Sequence, residues 1–224
     1  SLSEILTDRR CVINTINPHS YCETKKDNVF AAALLNSDVL LPDGSGIVLA
    51  TKILTGKKIN KIAGADIHYY LLEQAHLKNQ KVFYLGAALS TLQLIENRIH
   101  KEFPNIQVSS YSPPFKSQFS EKENNKMVAV INDFKPDILF VGMTAPKQEK
   151  WVYTNKEQIN ANVIASIGAV FDFYAGTVKR SGKFWIQLGL EWFPRLLSDP
   201  KRLWKRNFVS SPLFLFYVLK EKWR

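Results

Sequence analysis

Val39-Leu40-Leu41-Pro42-Asp43-Gly44-Ser45-Gly46-Ile47-Val48-Leu49-Ala50 decides the fold. It reads as the end of a buried strand that stops at Pro42, a glycine-punctuated turn, and an apolar helix over about 47–54. Open α/β sheets bind ligands at the carboxyl ends of their strands, in turns of this kind. Asp43 stands at that point, and Gly44 and Gly46 keep side chains clear of an approaching ligand. Asp43 could equally cap the helix while the glycines only make the turn.

Working outward, short apolar runs alternate with segments of helical period. Strands are expected at 11–16, 81–86, 106–110, 137–142 and 162–168. Helices are expected at 19–36, 67–77, 89–103, 121–134 and 148–159, with a weak helix or arm at 2–10 and a short extended piece at 59–64. This alternation predicts an α/β chain built on a Rossmann-like, mostly parallel sheet. The predicted core domain covers 1–178, followed by a basic, aromatic-rich helical appendage over 179–224.

In a parallel sheet the strand ends share one edge. Polar residues recur there at Thr15 and Asn17, at Asp43, at 144–148, and in the turn from Gly168 to Asp172. The expected crevice is lined by Thr15, Asn17, Asp43, Asp66, Gln148 and Asp172. Each of these could also be an ordinary turn or cap residue. Gly142-Met143-Thr144-Ala145-Pro146-Lys147-Gln148-Glu149 closes a strand and opens a helix, where free amides can hold a phosphate and Lys147 can add charge. There is no GxGxxG, P-loop or D-x-D. A leaving diphosphate would therefore be stabilised by helix N-termini and Lys/Arg.

The 224 residues carry a net charge of +10, which points to a polyanionic partner. Eight of those ten charges come from 179–224, where eleven Lys/Arg face three acids. Basic residues there interleave with Trp and Phe, which suits a helix in an anionic membrane interface. Such mixtures also suit single-stranded nucleic acid, although no RNP, KH or helix-turn-helix pattern is present, or a helix packed on its own core. The longest apolar run, 212–219, falls short of the roughly 20 residues of a membrane span. Cys11 and Cys22 form no CxxC, the four His have no zinc spacing, and no signal peptide is visible, so a reducing cytosol is expected. The absent initiator Met reads as a trimmed start.

Seven motifs, Thr15-Ile16-Asn17-Pro18, Pro42-Asp43-Gly44-x-Gly46, Ala63-Gly64-Ala65-Asp66, Ala145-Pro146-Lys147-Gln148-Glu149, Gly168-Ala169-Val170-Phe171-Asp172-Phe173-x-Ala175-Gly176, Val178-Lys179-Arg180 and Gly189-Leu190-Glu191-Trp192, resemble the WecG/TagA/CpsF glycosyltransferases in order and spacing. The resemblance implies an inverting transfer, without a required metal or other cofactor, from a UDP-sugar to a polyprenyl-diphosphate-linked sugar. The best-studied members place N-acetylmannosamine on lipid-linked N-acetylglucosamine in teichoic acid synthesis. It implies Asp43 as the catalytic base with Thr15 and Asn17 beside it, and Gln148 and Asp172 at the donor. Gly44, Lys61, Asp66, Gly86 and Lys147 are further substrate-binding candidates. One or more of Arg195, Arg202 and Arg206 is expected to reach the diphosphate. The implied partners include a membrane surface at the inner face of the cell membrane and exclude nucleic acid; a homo-oligomer stays open. This chain departs from the family pattern in three places. Lys61 stands where Arg is expected and loses the bidentate fork. Gly86 is followed by Ala-Ala, and the family's first strand is missing.

Overall fold

A computed structural model describes residues 10–178 and 200–223, together with 182, 185, 196 and 197. Six strands form one sheet in the order β2-β1-β6-β5-β3-β4. They are β1 (Cys11–Ile16), β2 (Val39–Pro42), β3 (Lys81–Gly86), β4 (Gln107–Tyr111), β5 (Ile138–Gly142) and β6 (Val163–Ser166). Every pairing is parallel, so the predicted "mostly parallel" sheet is wholly parallel.

The adjacent strands β3 and β5 are almost wholly apolar because both of their faces are covered. Val82 and Tyr84 of β3 point into one core with Ile138 and Phe140 of β5. Phe83 and Leu85 point into the other with Leu139 and Val141. Helices α4 (Gly64–Leu77) and α5 (Leu89–Glu102) cover the first face through Ile67, Leu71, Leu92 and Ile95. Helices α6 (Glu121–Phe134) and α7 (Lys147–Asn155) cover the second through Met127, Ile131, Trp151 and Val152. Each fully buried large apolar side chain is worth about 1.5–3 kcal/mol.

The single helix expected over 19–36 is two helices, α1 (Pro18–Thr24) and α2 (Asn28–Leu35). Asp27 makes the break: its Oδ1 accepts from the Phe30 N–H at 2.9 Å as an N-cap. Its Oδ2 receives Lys150 Nζ of α7 at 2.8 Å, which holds the carboxyl below its ordinary range. The expected extended piece at 59–64 adds no strand to the sheet; it is held to β2 by Ile62 N–H donating to the Pro42 carbonyl at 3.0 Å. The helix expected at 148–159 ends at Asn155 and continues as a 3₁₀ turn, Lys156–Gln158.

The chain proceeds through α3 (Ser45–Thr55) after β2 and α8 (Val170–Ala175) after β6. Residues 200–223 form α9 (Pro200–Trp204), a π-helical stretch Lys205–Ser210, and α10 (Ser211–Lys222). Phe214 and Val218 of α10 bury themselves against Cys22 of α1 and Ala50 of α3 in a third, smaller cluster. Tyr21 meets the Phe214 ring edge-on at 5.2 Å. Among the described residues, no helix is long and apolar enough to cross a membrane.

Candidate active site

Strands β1 and β2 end together, with Ile16 opposite Pro42. Pro42 has no N–H to extend the ladder. One further bond forms beyond it, from the Asp43 N–H to the Ile16 carbonyl at 2.8 Å. Asp43 and Asn17 therefore leave the sheet side by side. The N-cap of α3 falls on Gly44, at φ +101° and ψ 150°, a conformation that essentially only glycine adopts. Gly46 lets α3 start against α1, since a Cβ there would lie 2.5 Å from Pro18 Cγ. The Ile62–Pro42 bond brings the neighbouring Lys61 to the same edge.

A cavity of about 380 Å³ opens over this edge. Asn17, His19, Asp43, Gly44 and Lys61 line its sheet side. Arg206, Asn207 and Ser211 line it from the C-terminal segment. Leu49, Leu203, Phe208, Phe214 and Leu215 make an apolar wall. Asp43 is the one acid among the described lining residues, set among Lys61, Arg206 and His19. Asn17 also caps α1, with Oδ1 accepting from the Ser20 N–H at 3.0 Å.

Hydrogen bonds between α1 and Ser210 help to hold the C-terminal segment over the cavity. His19 Nδ1 lies 2.8 Å from Ser210 Oγ, and Cys22 Sγ donates to the Ser210 carbonyl at 3.3 Å. Burial holds the His19 imidazole below its ordinary value; Glu23 opposes this, and Arg206, Lys205 and Lys26 reinforce it. Large apolar side chains of this segment that do not line the cavity stay exposed, among them Trp204, Phe216, Leu219 and Trp223, which is 86% exposed.

The other expected residues lie elsewhere. Thr15 is half-buried in β1 opposite Leu41 and does not line the cavity. Asp66 opens α4, where its Oδ2 accepts from the Ala63 N–H at 3.0 Å. It lines a second cavity of about 490 Å³ with Arg98, Tyr69 and Tyr174. The single crevice expected from the sequence is thus divided, because Asp66 sits in the first turn of a helix on the first face of the sheet. Gln148 is buried: Oε1 accepts from the Met143 N–H at 3.2 Å, and Nε2 donates to Glu149 Oε1 at 2.9 Å. Gly168 turns the chain beside it at φ +52°, and a Cβ there would make only ordinary contact with Gln148 Oε1 at 3.4 Å. Lys147 Nζ donates to the Lys116 carbonyl and sits 3.8 Å above the Phe119 ring, so it serves the 116–119 loop. Gly86, at φ +119°, faces Gly142 at the ends of β3 and β5, and a Cβ there would lie 2.3 Å from the Gly142 carbonyl oxygen. Asp172 is partly exposed on α8, and its carbonyl accepts from Thr177 Oγ1 and the Val178 N–H. Arg195 and the side chain of Arg202 lie outside the described residues.

Sequence reasoning missed His19, Asn207 and Glu149. His19 follows the Asn17-Pro18 helix start, and that position was its only signal. Glu149 is buried, and burial pushes its carboxyl up to about 6 against the opposing Gln148 bond. Among the described residues, no cluster of three or more His, Cys, Asp or Glu could hold a metal ion.

Comparison with known proteins supplies the chemistry that the cavity alone leaves open. Over 211 residues the chain is 33% identical to the N-acetylglucosaminyldiphosphoundecaprenol N-acetyl-beta-D-mannosaminyltransferase of Bacillus subtilis strain 168, covering 94% of this chain and 80% of that protein. The Staphylococcus aureus MW2 protein of the same name is 30% identical over 210 residues, with the same coverage. The glycosyl transferase WecG/TagA/CpsF family model matches residues 1–224. With that match running the whole length of the chain, over a wholly parallel α/β sheet, this protein belongs to the WecG/TagA/CpsF family of glycosyltransferases.

Proposed function

We propose that this enzyme transfers a sugar, N-acetylmannosamine or a related hexose, from a UDP-sugar to a polyprenyl-diphosphate-linked sugar, with inversion and without a metal. The lipid-linked acceptor is the undecaprenyl diphosphate of N-acetylglucosamine, by analogy with the names of the relatives. One observation carries the reading: among the described lining residues, the carboxylate of Asp43 shares a cavity with the cations Lys61 and Arg206 and an apolar wall.

Asp43 accepts the proton of the acceptor hydroxyl as that oxygen attacks the anomeric carbon. The C1–O bond to UDP breaks on the opposite face, and UDP leaves with the bonding pair. Inversion follows from one in-line displacement, which a base on a rigid strand end can align. Lys61 and Arg206 neutralise diphosphate charge, the role a divalent cation would otherwise fill. The exposed Trp204, Phe216 and Trp223, with Lys205, Lys220 and Lys222 nearby in sequence, suit the interface of an anionic bilayer, where the acceptor lipid resides. In this reading 1–178 is the catalytic core, and 179–224 both closes the site and attaches it peripherally to the inner face of the membrane.

The test is a donor screen with a short-chain polyprenyl-diphosphate N-acetylglucosamine acceptor, following UDP release and product mass. The expected result is UDP release matched by a hexosamine added to the acceptor. No transfer from any UDP-sugar would overturn the reading.

A further inference from the structure

Arg206 can serve the cavity only if the segment carrying it is fixed there. Besides the apolar packing of Phe214 and Val218, two side chains of α1 reach one residue of that segment. Ser210 is buried at 3% exposure, at the end of the π-helical stretch. Its hydroxyl meets His19 Nδ1 at 2.8 Å, and its carbonyl accepts from Cys22 Sγ at 3.3 Å. Arg206 lies four residues earlier in the same π-helical stretch and lines the cavity with His19. The Arg206 carbonyl accepts from Ser211 Oγ at 3.3 Å, which ties the two ends of that turn together. His19 itself lines the cavity beside Asp43.

We propose that His19 is a positioning residue: through Ser210 it holds the 205–210 turn, and with it Arg206, over the Asp43 edge of the cavity. The kinetic part of this proposal rests on the function proposed above. The group that Arg206 meets is a diphosphate, belonging either to the departing UDP or to the lipid acceptor.

The imidazole must be neutral to do this well. The charged groups around it are Glu23 of α1 and Lys26 just beyond it, Lys205 and Arg206 from the turn it holds, and Asp43 and Lys61 in the cavity. A proton on His19 would place a further cation against Lys205 and Arg206. Its docked value lies below the ordinary 6.5, so the docked state binds fewer protons than the undocked one. Docking is therefore fully supported above pH 6.5 and weakens as pH falls through and below that value.

The experiment measures amide hydrogen exchange over 203–214 in the intact chain at pH 8 and pH 5.5, corrected for intrinsic exchange. Wild type is expected to lose protection at the lower pH. His19→Asn keeps a polar atom near the Nδ1 position without titrating, so it should hold its protection at both. His19→Phe and Ser210→Ala should be poorly protected at both, and the double variant no worse than either single one. In the transfer assay at pH 8, both single variants should raise one KM about tenfold, the scale of one weakened charge-assisted contact. A rise in donor KM assigns the UDP diphosphate to Arg206, and a rise in acceptor KM assigns the lipid diphosphate. The proposal is overturned if His19→Phe and Ser210→Ala leave protection and both KM values as in wild type, or if their effects add. If His19→Phe does not fold, Ser210→Ala and His19→Asn decide. If wild type transfers no sugar, the function reading fails, and the exchange measurements still decide the role of His19.

Discussion

The Asp43 N–H donates to the Ile16 carbonyl at 2.8 Å, one step past the last paired residues of β1 and β2. This bond fixes a carboxylate beside Asn17 at the sheet's edge without using a side-chain atom. Replacing Asp43 by Asn keeps the backbone bond and the volume while removing the basicity. Asp43→Asn should lower turnover by about 10²–10⁴-fold in a protein that still folds, as circular dichroism would show. Near-normal turnover in the purified variant would remove Asp43 from the base role.

Chelation separates cationic side chains from a divalent ion as the stabiliser of the leaving group. With Lys61 and Arg206 in the cavity, transfer should survive excess EDTA. Loss of activity restored by Mg²⁺ or Mn²⁺ would mean that a metal carries the charge.

The C-terminal segment should have separable duties. Arg206→Ala should weaken transfer to a short, water-soluble acceptor, where no membrane is present. Trp204→Ser with Trp223→Ser should reduce sedimentation with anionic liposomes while sparing that soluble reaction, since both side chains are more than half exposed. If Arg206→Ala lost only liposome binding, the segment would be a tether and nothing more.

Gly86 and Gly56 provide a matched pair. Both have positive φ, but a Cβ at Gly86 would meet the Gly142 carbonyl oxygen at 2.3 Å, whereas nothing lies within 4 Å at Gly56. Gly86→Ala should cost about 3 kcal/mol or more, from strain plus overpacking. Gly56→Ala should cost about 1 kcal/mol, from strain alone. Urea denaturation midpoints would show the difference.

Glu149 predicts a pH-dependent gain. Its carboxyl is raised by burial from 4.5 to about 6, so its support for the fold is complete below 4.5 and is lost as pH rises through 6. At pH 8 the ionised group is a cost. Glu149→Gln keeps an oxygen for Gln148 Nε2 and should stabilise the protein by about 1–2 kcal/mol at pH 8 relative to pH 5. Equal stability changes at the two pH values would refute the buried charge.

The sheet was legible because parallel strands covered on both faces must be apolar runs, and 81–86 and 138–142 are such runs. Asp43 was legible because proline and glycine mark where a strand stops. The break in 19–36 was not, because the Asp27 cap is reinforced by Lys150, 123 residues away. The placing of Asp66 was hidden for a local reason: the same carboxylate fits a crevice or a helix start, and only the fold decides. The docked face of α10 was illegible because 212–219 is apolar nearly all round, so its pattern does not single out Phe214 and Val218 as the inward pair.

The cavity wall formed by 203–215 also has a consequence for timing. Synthesis runs at about 5–20 residues/s, and domains fold from the N-terminal side as they emerge. All six strands are complete at Ser166, so the Asp43 edge can be seated before Arg206 has been translated. For those seconds the growing polypeptide holds Asp43 and Lys61 without Arg206 opposite them. If Arg206 has the role proposed above, competence is switched on by the late arrival of one turn of helix, and a nascent chain stalled before it would be folded but idle.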